Sequence, residues 1–173
     1  FPYTTLFRSF ALLHPERVAS LTLVSCGVAS STDAAQAGAD AKGSALATVF
    51  SHDALYWAAS TLLQRPLLGL MGVSDEVVAG LTPGQRRLAE RVIAEMNPVA
   101  PRAAGVAFDH RAQLPDARIA GIRVPTLVLH ARDDGLQLYR NAEYAAAHIP
   151  GAQLRSFETV ARLFKYDDLE DFL

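Results

Sequence analysis

Two adjacent carboxylates, Asp133 and Asp134, follow an apolar run, Thr126-Leu127-Val128-Leu129. Between run and acids lie His130, Ala131 and Arg132. An apolar run that stops in a polar turn is the pattern of a buried parallel strand. Such a strand delivers its last residues to the C-terminal edge of the sheet, where ligands bind in open α/β folds. An acid at that edge is therefore a candidate for chemistry. The bland alternative is a pair of solvated turn carboxylates capping the next helix.

The other reactive side chains are scattered. His130 is close to the acids, but a histidine ending a strand more often bonds backbone at the sheet edge. His14 reads as a helix-end residue. His52, His110 and His148 occur singly, and no pair has the His-x-x-x-His spacing of a metal site. Cys26 is the sole cysteine, which excludes an intramolecular disulfide and leaves no thiolate set for structural zinc. It reads as a small buried thiol. No metal and no cofactor is expected.

Several elements must position the acids. Residues 10–14 read as the end of an apolar helix stopped by Pro15, and residues 17–26 as a buried strand ending at Gly27. Residues 28–51, rich in Ala, Ser, Gly and Thr, read as a loop or weak helix. From His52 the pattern is helical, with Leu55, Ala58, Ala59, Leu62 and Leu63 on one face. Ser74 or Asp75 can cap a short helix through Val78. Thr82-Pro83-Gly84-Gln85 combines a capping residue, a first-turn proline and the second half of a capping box. Leu88, Val92, Ile93 and Met96 continue that helix as an apolar stripe, and a further helical piece is expected over 103–110. After the acids, 138–148 reads as a helix with Tyr139, Ala142, Ala145, Ala146 and Ile149 toward the sheet. Pro150-Gly151 ends it, residues 152–157 make another strand, and 167–173 a final helical turn.

Composition bounds the class. The chain has 173 residues, half of them hydrophobic, and a formal charge of −2. That suits one domain with a real core. No Lys/Arg cluster marks a nucleic-acid footprint, and no apolar run approaches a membrane span. A dinucleotide-binding fold would need a Gly-x-Gly-x-x-Gly after a strand, which the sequence lacks.

Residues 10–27, 122–134 and 149–154, in this order and spacing, resemble the C-terminal half of an α/β-hydrolase. In that likeness, 10–27 is the helix after the nucleophile elbow and the next strand. Residues 122–134 are the strand presenting the acid, and 149–154 the entry to the last strand. The resemblance implies an incomplete α/β-hydrolase fold: about three parallel strands with flanking helices and a mostly helical cap insertion. Residues 10–30 and 117–173 would form the partial core and 31–116 the cap, or lid. The first nine residues, Phe1 to Ser9, resemble the in-frame translation of a sequencing-library adapter and are expected to lie outside the natural fold.

The family's chemistry uses a serine nucleophile, a histidine base and an acid, with the serine in Gly-x-Ser-x-Gly. The resemblance assigns the acid to Asp134, with Asp133 as the alternative. The elbow is absent: Gly72-Val73-Ser74-Asp75-Glu76 lacks the second glycine. Arg162 stands where the histidine is expected, and an arginine stays protonated and cannot act as base. Tyr56, Trp57 and Met71 are candidate substrate-pocket residues from the cap, although packing alone explains their periodicity. The expectation is a fragment of a hydrolase whose parent cleaves an ester, amide or carbon–carbon bond of a small-molecule substrate. By itself the chain is expected to be inactive. The alternative is a noncatalytic module, derived from a hydrolase, that binds a small ligand or a partner.

Overall fold

The computed structural model describes residues 4–160. Helix α1, Thr4–Leu13, runs into a short 3-10 turn at Pro15–Arg17 and then strand β1, Leu21–Val24. Helices α2 (Ala34–Val49), α3 (Asp53–Leu62), α4 (Gln64–Leu70), α5 (Asp75–Gly80), α6 (Pro83–Glu95) and α7 (Ala103–Arg111) follow. Strand β2 (Thr126–Ala131), helix α8 (Arg140–His148) and strand β3 (Gln153–Phe157) complete the described chain. The expected turn at 167–173 and Arg162 lie outside the described residues.

The strands form one parallel sheet in the order β1-β2-β3. Leu21 pairs with Thr126 and Val24 with Leu129, while Leu127 pairs with Gln153 and Ala131 with Phe157. Parallel neighbours need crossovers. Helix α8 makes the second, and its buried Ala142 and Ala145 pack with Val128 and Ile149. Leu21, Leu23, Cys26, Val28, Ile119 and Ile122 complete this core together with Ala11 of α1. No helix among the described residues is long and apolar enough to cross a membrane.

The first crossover contains the helical insert. Its two ends meet: Ser30 donates from its amide to Asp116 Oδ1 at 2.6 Å and from its hydroxyl to Oδ2 at 3.0 Å. The Asp116 amide donates to Val28 O at 3.0 Å. The insert has its own small core of Tyr56, Leu67, Ile93 and Val99, flanked by Leu46, Phe50, Met71 and Met96. The α6 start forms as the sequence predicts, with Thr82 and Gln85 making a full capping box.

Three expectations need correction. Residues 34–49 form a 16-residue helix instead of a loop or weak helix, capped by the Asp33 carboxylate on Gln36 N. Alanine-rich sequence needs no apolar stripe to be helical, because alanine loses no side-chain entropy. The strand expected over 17–26 is only Leu21–Val24. Pro15–Arg17 form the turn before it, and Ser25, at φ +47°, breaks extended backbone after it. The face of α3 that periodicity selects is largely wet: Leu55, Leu62 and the following Leu63 are 41, 69 and 56 % exposed. Tyr56 turns inward instead, because its hydroxyl finds Ile93 O at 2.7 Å inside the insert.

Candidate functional site

Asp134 sits in the turn just past β2, with its side chain 8 % exposed. Its Oδ1 accepts from the amides of Leu136 at 2.9 Å and Gln137 at 2.8 Å. Its Oδ2 accepts from the hydroxyl of Ser25, which stands just past β1. Parallel pairing of β1 with β2 brings both strand ends to one edge, across 109 positions of sequence. The left-handed backbone of Ser25, uncommon for a residue with a Cβ, accompanies this contact. Three donors on a nearly buried carboxylate fix its plane.

His130 is fully buried on the same edge. Its Nε2 lies 2.7 Å from Gln137 O. A carbonyl only accepts, so Nε2 carries the proton. The same nitrogen is 3.8 Å from Asp134 Oδ2, and Nδ1 is buried without a hydrogen-bond partner among the described residues. His130 therefore bonds backbone, and Asp134 Oδ2 is approached by both His130 and Ser25. With Nε2 donating to Gln137 O and the Ser25 hydroxyl donating to Asp134, these contacts hold the acid in place.

Asp133 points elsewhere. Its Oδ1 accepts from Val160 N at 2.7 Å, tying the acid turn to the chain after β3. Of the two adjacent carboxylates, Asp134 is the one gripped at the strand edge.

The insert docks directly on this turn. The amide of Gly135 donates to Gly72 O at 3.3 Å, and Lys42 Nζ of α2 donates to Gly135 O at 3.2 Å. Gly72 has φ +87°, and a Cβ there would stand 2.7 Å from Leu136 N. Only glycine allows both the backbone conformation and the approach. A second tie joins α2 to α8, where Arg140 donates to Asp33 Oδ2 and to Gln36 Oε1. The Gln36 amide, the Ser31 hydroxyl and Arg140 together lower the Asp33 carboxyl from 3.8 to about 2. Just before the insert, the Oδ1 of Asn141 on α8 accepts from Val28 N at 2.9 Å and Ala29 N at 3.1 Å.

Between insert and turn lies a cavity of about 530 Å³. Lys42, Arg65, Gly72, Asp75, Asp133 and Gly135 are among the residues lining it. Tyr56, Trp57 and Met71 are not. Tyr56 is fully buried in the insert core, where burial raises its phenol pKa. Met71 packs against that core, and Trp57 is 55 % exposed. Asp134 is likewise not among the residues lining the cavity, which its neighbours Asp133 and Gly135 reach. Sequence reasoning missed Ser25, Lys42 and Gly72; for Ser25 the available signal was a hydroxyl at the end of the strand preceding the acid strand. No group of three or more His, Cys, Asp or Glu among the described residues is arranged to hold a metal.

Comparison with known proteins finds no matching family model and no matching curated protein. Solved structures do match. A hydrolase from Pseudomonas aeruginosa PA01 superposes with TM-score 0.67 at 19 % identity, over 98 % of this chain and 58 % of that one. An α/β-hydrolase enzyme from a Medee basin deep-sea metagenome library gives TM-score 0.55 at 14 % identity, over 99 % and 62 %. An acetylester hydrolase from Corynebacterium glutamicum gives 0.56 at 17 % identity, over 91 % and 51 %. The chain thus spans 51 to 62 % of these neighbours' lengths, and over that span its fold is that of an α/β-hydrolase.

Proposed function

We propose that this chain is the acid-bearing part of a Ser-His-Asp hydrolase acting on an ester, amide or carbon–carbon bond, with Asp134 as the acid. The observation that carries the reading is the grip on Asp134: two amides and a hydroxyl fix a nearly buried carboxylate at the C-terminal end of a parallel strand. In such a mechanism the acid orients the histidine and stabilises the imidazolium formed when the serine is deprotonated. Ser25 is a positioning residue for it. The insert, residues 31–116, acts as a cap whose docked face walls the substrate side of the acid turn.

The sequence contains no Gly-x-Ser-x-Gly and no histidine beyond His148. On this reading the chain alone turns over no substrate, and the serine and histidine belong to the remainder of a longer enzyme. The test is twofold. The purified chain should leave a short-chain nitrophenyl ester at the buffer rate. The longer gene product should encode an elbow upstream and hydrolyse the ester, and Asp134→Asn should lower its kcat by roughly 10⁴-fold. Turnover by the chain alone that Asp134→Ala abolishes would sink the reading, as would an inert longer product.

The cavity favours a second reading, a noncatalytic module that holds a small ligand between insert and sheet edge. A longer gene product without an elbow would favour it.

A further inference from the structure

We propose that the cavity between the insert and the acid turn binds a ligand through a carboxylate, with Lys42 as its anchor and Arg65 as a weaker second contact. The inference deepens the reading above by naming the chemistry of the group bound there, and it rests on this cavity being the substrate side of the site.

The lining holds two cations, Lys42 and Arg65, and two carboxylates, Asp75 and Asp133. Three of these four are already engaged. Asp133 accepts from Val160 N. Arg65 and Asp75 pair with each other at 3.5 Å, both more than 70 % exposed at the rim. Lys42 differs. It is half-buried, comes from the insert wall, and has no carboxylate within 4.0 Å among the described residues. Its observed contact is the single hydrogen bond to Gly135 O. An ammonium has three N–H donors, so this bond leaves donor capacity beside the cavity.

A partly desolvated cation without a counter-charge is the feature that selects an anion. A carboxylate placed there makes a charge-assisted hydrogen bond, about twice as strong as a neutral one. A neutral ligand leaves the ammonium unpaired. The bond to Gly135 O holds the ammonium beside the backbone one residue along from Asp134, whose neighbours Asp133 and Gly135 line the cavity. A ligand anchored by its carboxylate on Lys42 would extend past the acid turn, so the substrate class is an ester or amide that carries a separate carboxylate on a short chain. Arg65, being exposed and paired, adds little because surface charges are screened by water and salt.

The probe is monomethyl succinate, with dimethyl succinate as its neutral counterpart, titrated into the purified chain and followed by amide NMR. The expected result is saturable shifts at Lys42, Gly72 and Gly135 with the monoester and none with the diester. Lys42→Gln should weaken monoester binding by about tenfold, Lys42→Arg should retain most of it, and Arg65→Gln should change it by less than Lys42→Gln. Retained binding in the arginine variant also demonstrates that the fold survives substitution. Equal binding of both probes, an unaffected Lys42→Gln variant, or shifts confined to other surfaces would overturn the proposal. Binding is read without turnover, so the two failures separate. Monoester binding beside an inert longer product supports the anchor and removes the hydrolase reading. Ester turnover with no monoester binding overturns the anchor and leaves the hydrolase reading standing.

Discussion

Around the sheet, buried residues from α1, β1, β2, α8 and the approach to β2 converge in one continuous cluster. In the insert a smaller cluster of Tyr56, Leu67, Ile93 and Val99 is buried, surrounded by half-buried neighbours. The sheet core is assembled from distant segments that must all be present together. The insert core is smaller and is assembled from the helices of one continuous segment, joined by contacts such as Tyr56 to Ile93 O and Val99 N to Asp53. Packing free energy scales with apolar area removed from water, so the sheet core carries most of the stability and the insert is the region that opens first. The candidate site lies where the two meet, with Asp134 on the rigid side and Lys42, Arg65 and Gly72 on the looser one.

The largest expected effect tests the rigid side. Leu23, 1 % exposed at the centre of β1, should cost about 3 kcal/mol when changed to alanine. Chemical denaturation should then report a loss felt in both regions. If sheet probes were unmoved while insert probes shifted, the assignment of stability to the sheet would be reversed.

Gly72→Ala tests the junction. Left-handed backbone and a Cβ 2.7 Å from Leu136 N should together cost about 2 kcal/mol. Hydrogen exchange should accelerate at Gly135 and through α4 and α5 while Thr126–Ala131 keeps its protection. Uniform acceleration would mean that insert and sheet open as a single unit.

Within the insert, Tyr56→Phe removes the donor to Ile93 O and strands a buried carbonyl. A loss of about 1 kcal/mol is expected, confined to α3 and α6 exchange rates; an equal loss in β2 would join the two cores thermodynamically.

The smallest effect is a pH dependence of the tie between α2 and α8. The Asp33 carboxyl lies at about 2, below its ordinary 3.8. A depressed folded value stabilises the fold above the unfolded pKa, so this contribution is complete above about pH 4 and fades as pH falls through 2. A carbon-detected carboxyl titration should find that low midpoint. Arg140→Ala should raise it only partly, because the Gln36 amide is the leading cause. A full return to 3.8 would show that Arg140 alone sets it.

What the sequence makes legible follows the same division. Thr82-Pro83-Gly84-Gln85, the run ending at Leu129 and the inward face of α8 are local patterns, and each forms as read. The α2 helix hides because alanine, serine and glycine leave no amphipathic signature. The α3 stripe misleads because a tyrosine with an internal acceptor outcompetes leucines that water can tolerate singly. Ser25 on Asp134 and Gly72 on Gly135 join positions 109 and 63 residues apart. No period in one segment encodes such pairs; they arise only once the parallel register is set.

The docking of Gly72 on Gly135 is a meeting of two main chains. Its strength is indifferent to the side chains flanking either glycine, so attachment and recognition are written in separate letters. Residues 65, 73 and 75 can change size or charge, reshaping what the cavity accepts, while the insert stays moored at the same point beside Asp134. A lock whose wards can be recut without moving its hinge is a scaffold suited to new ligands.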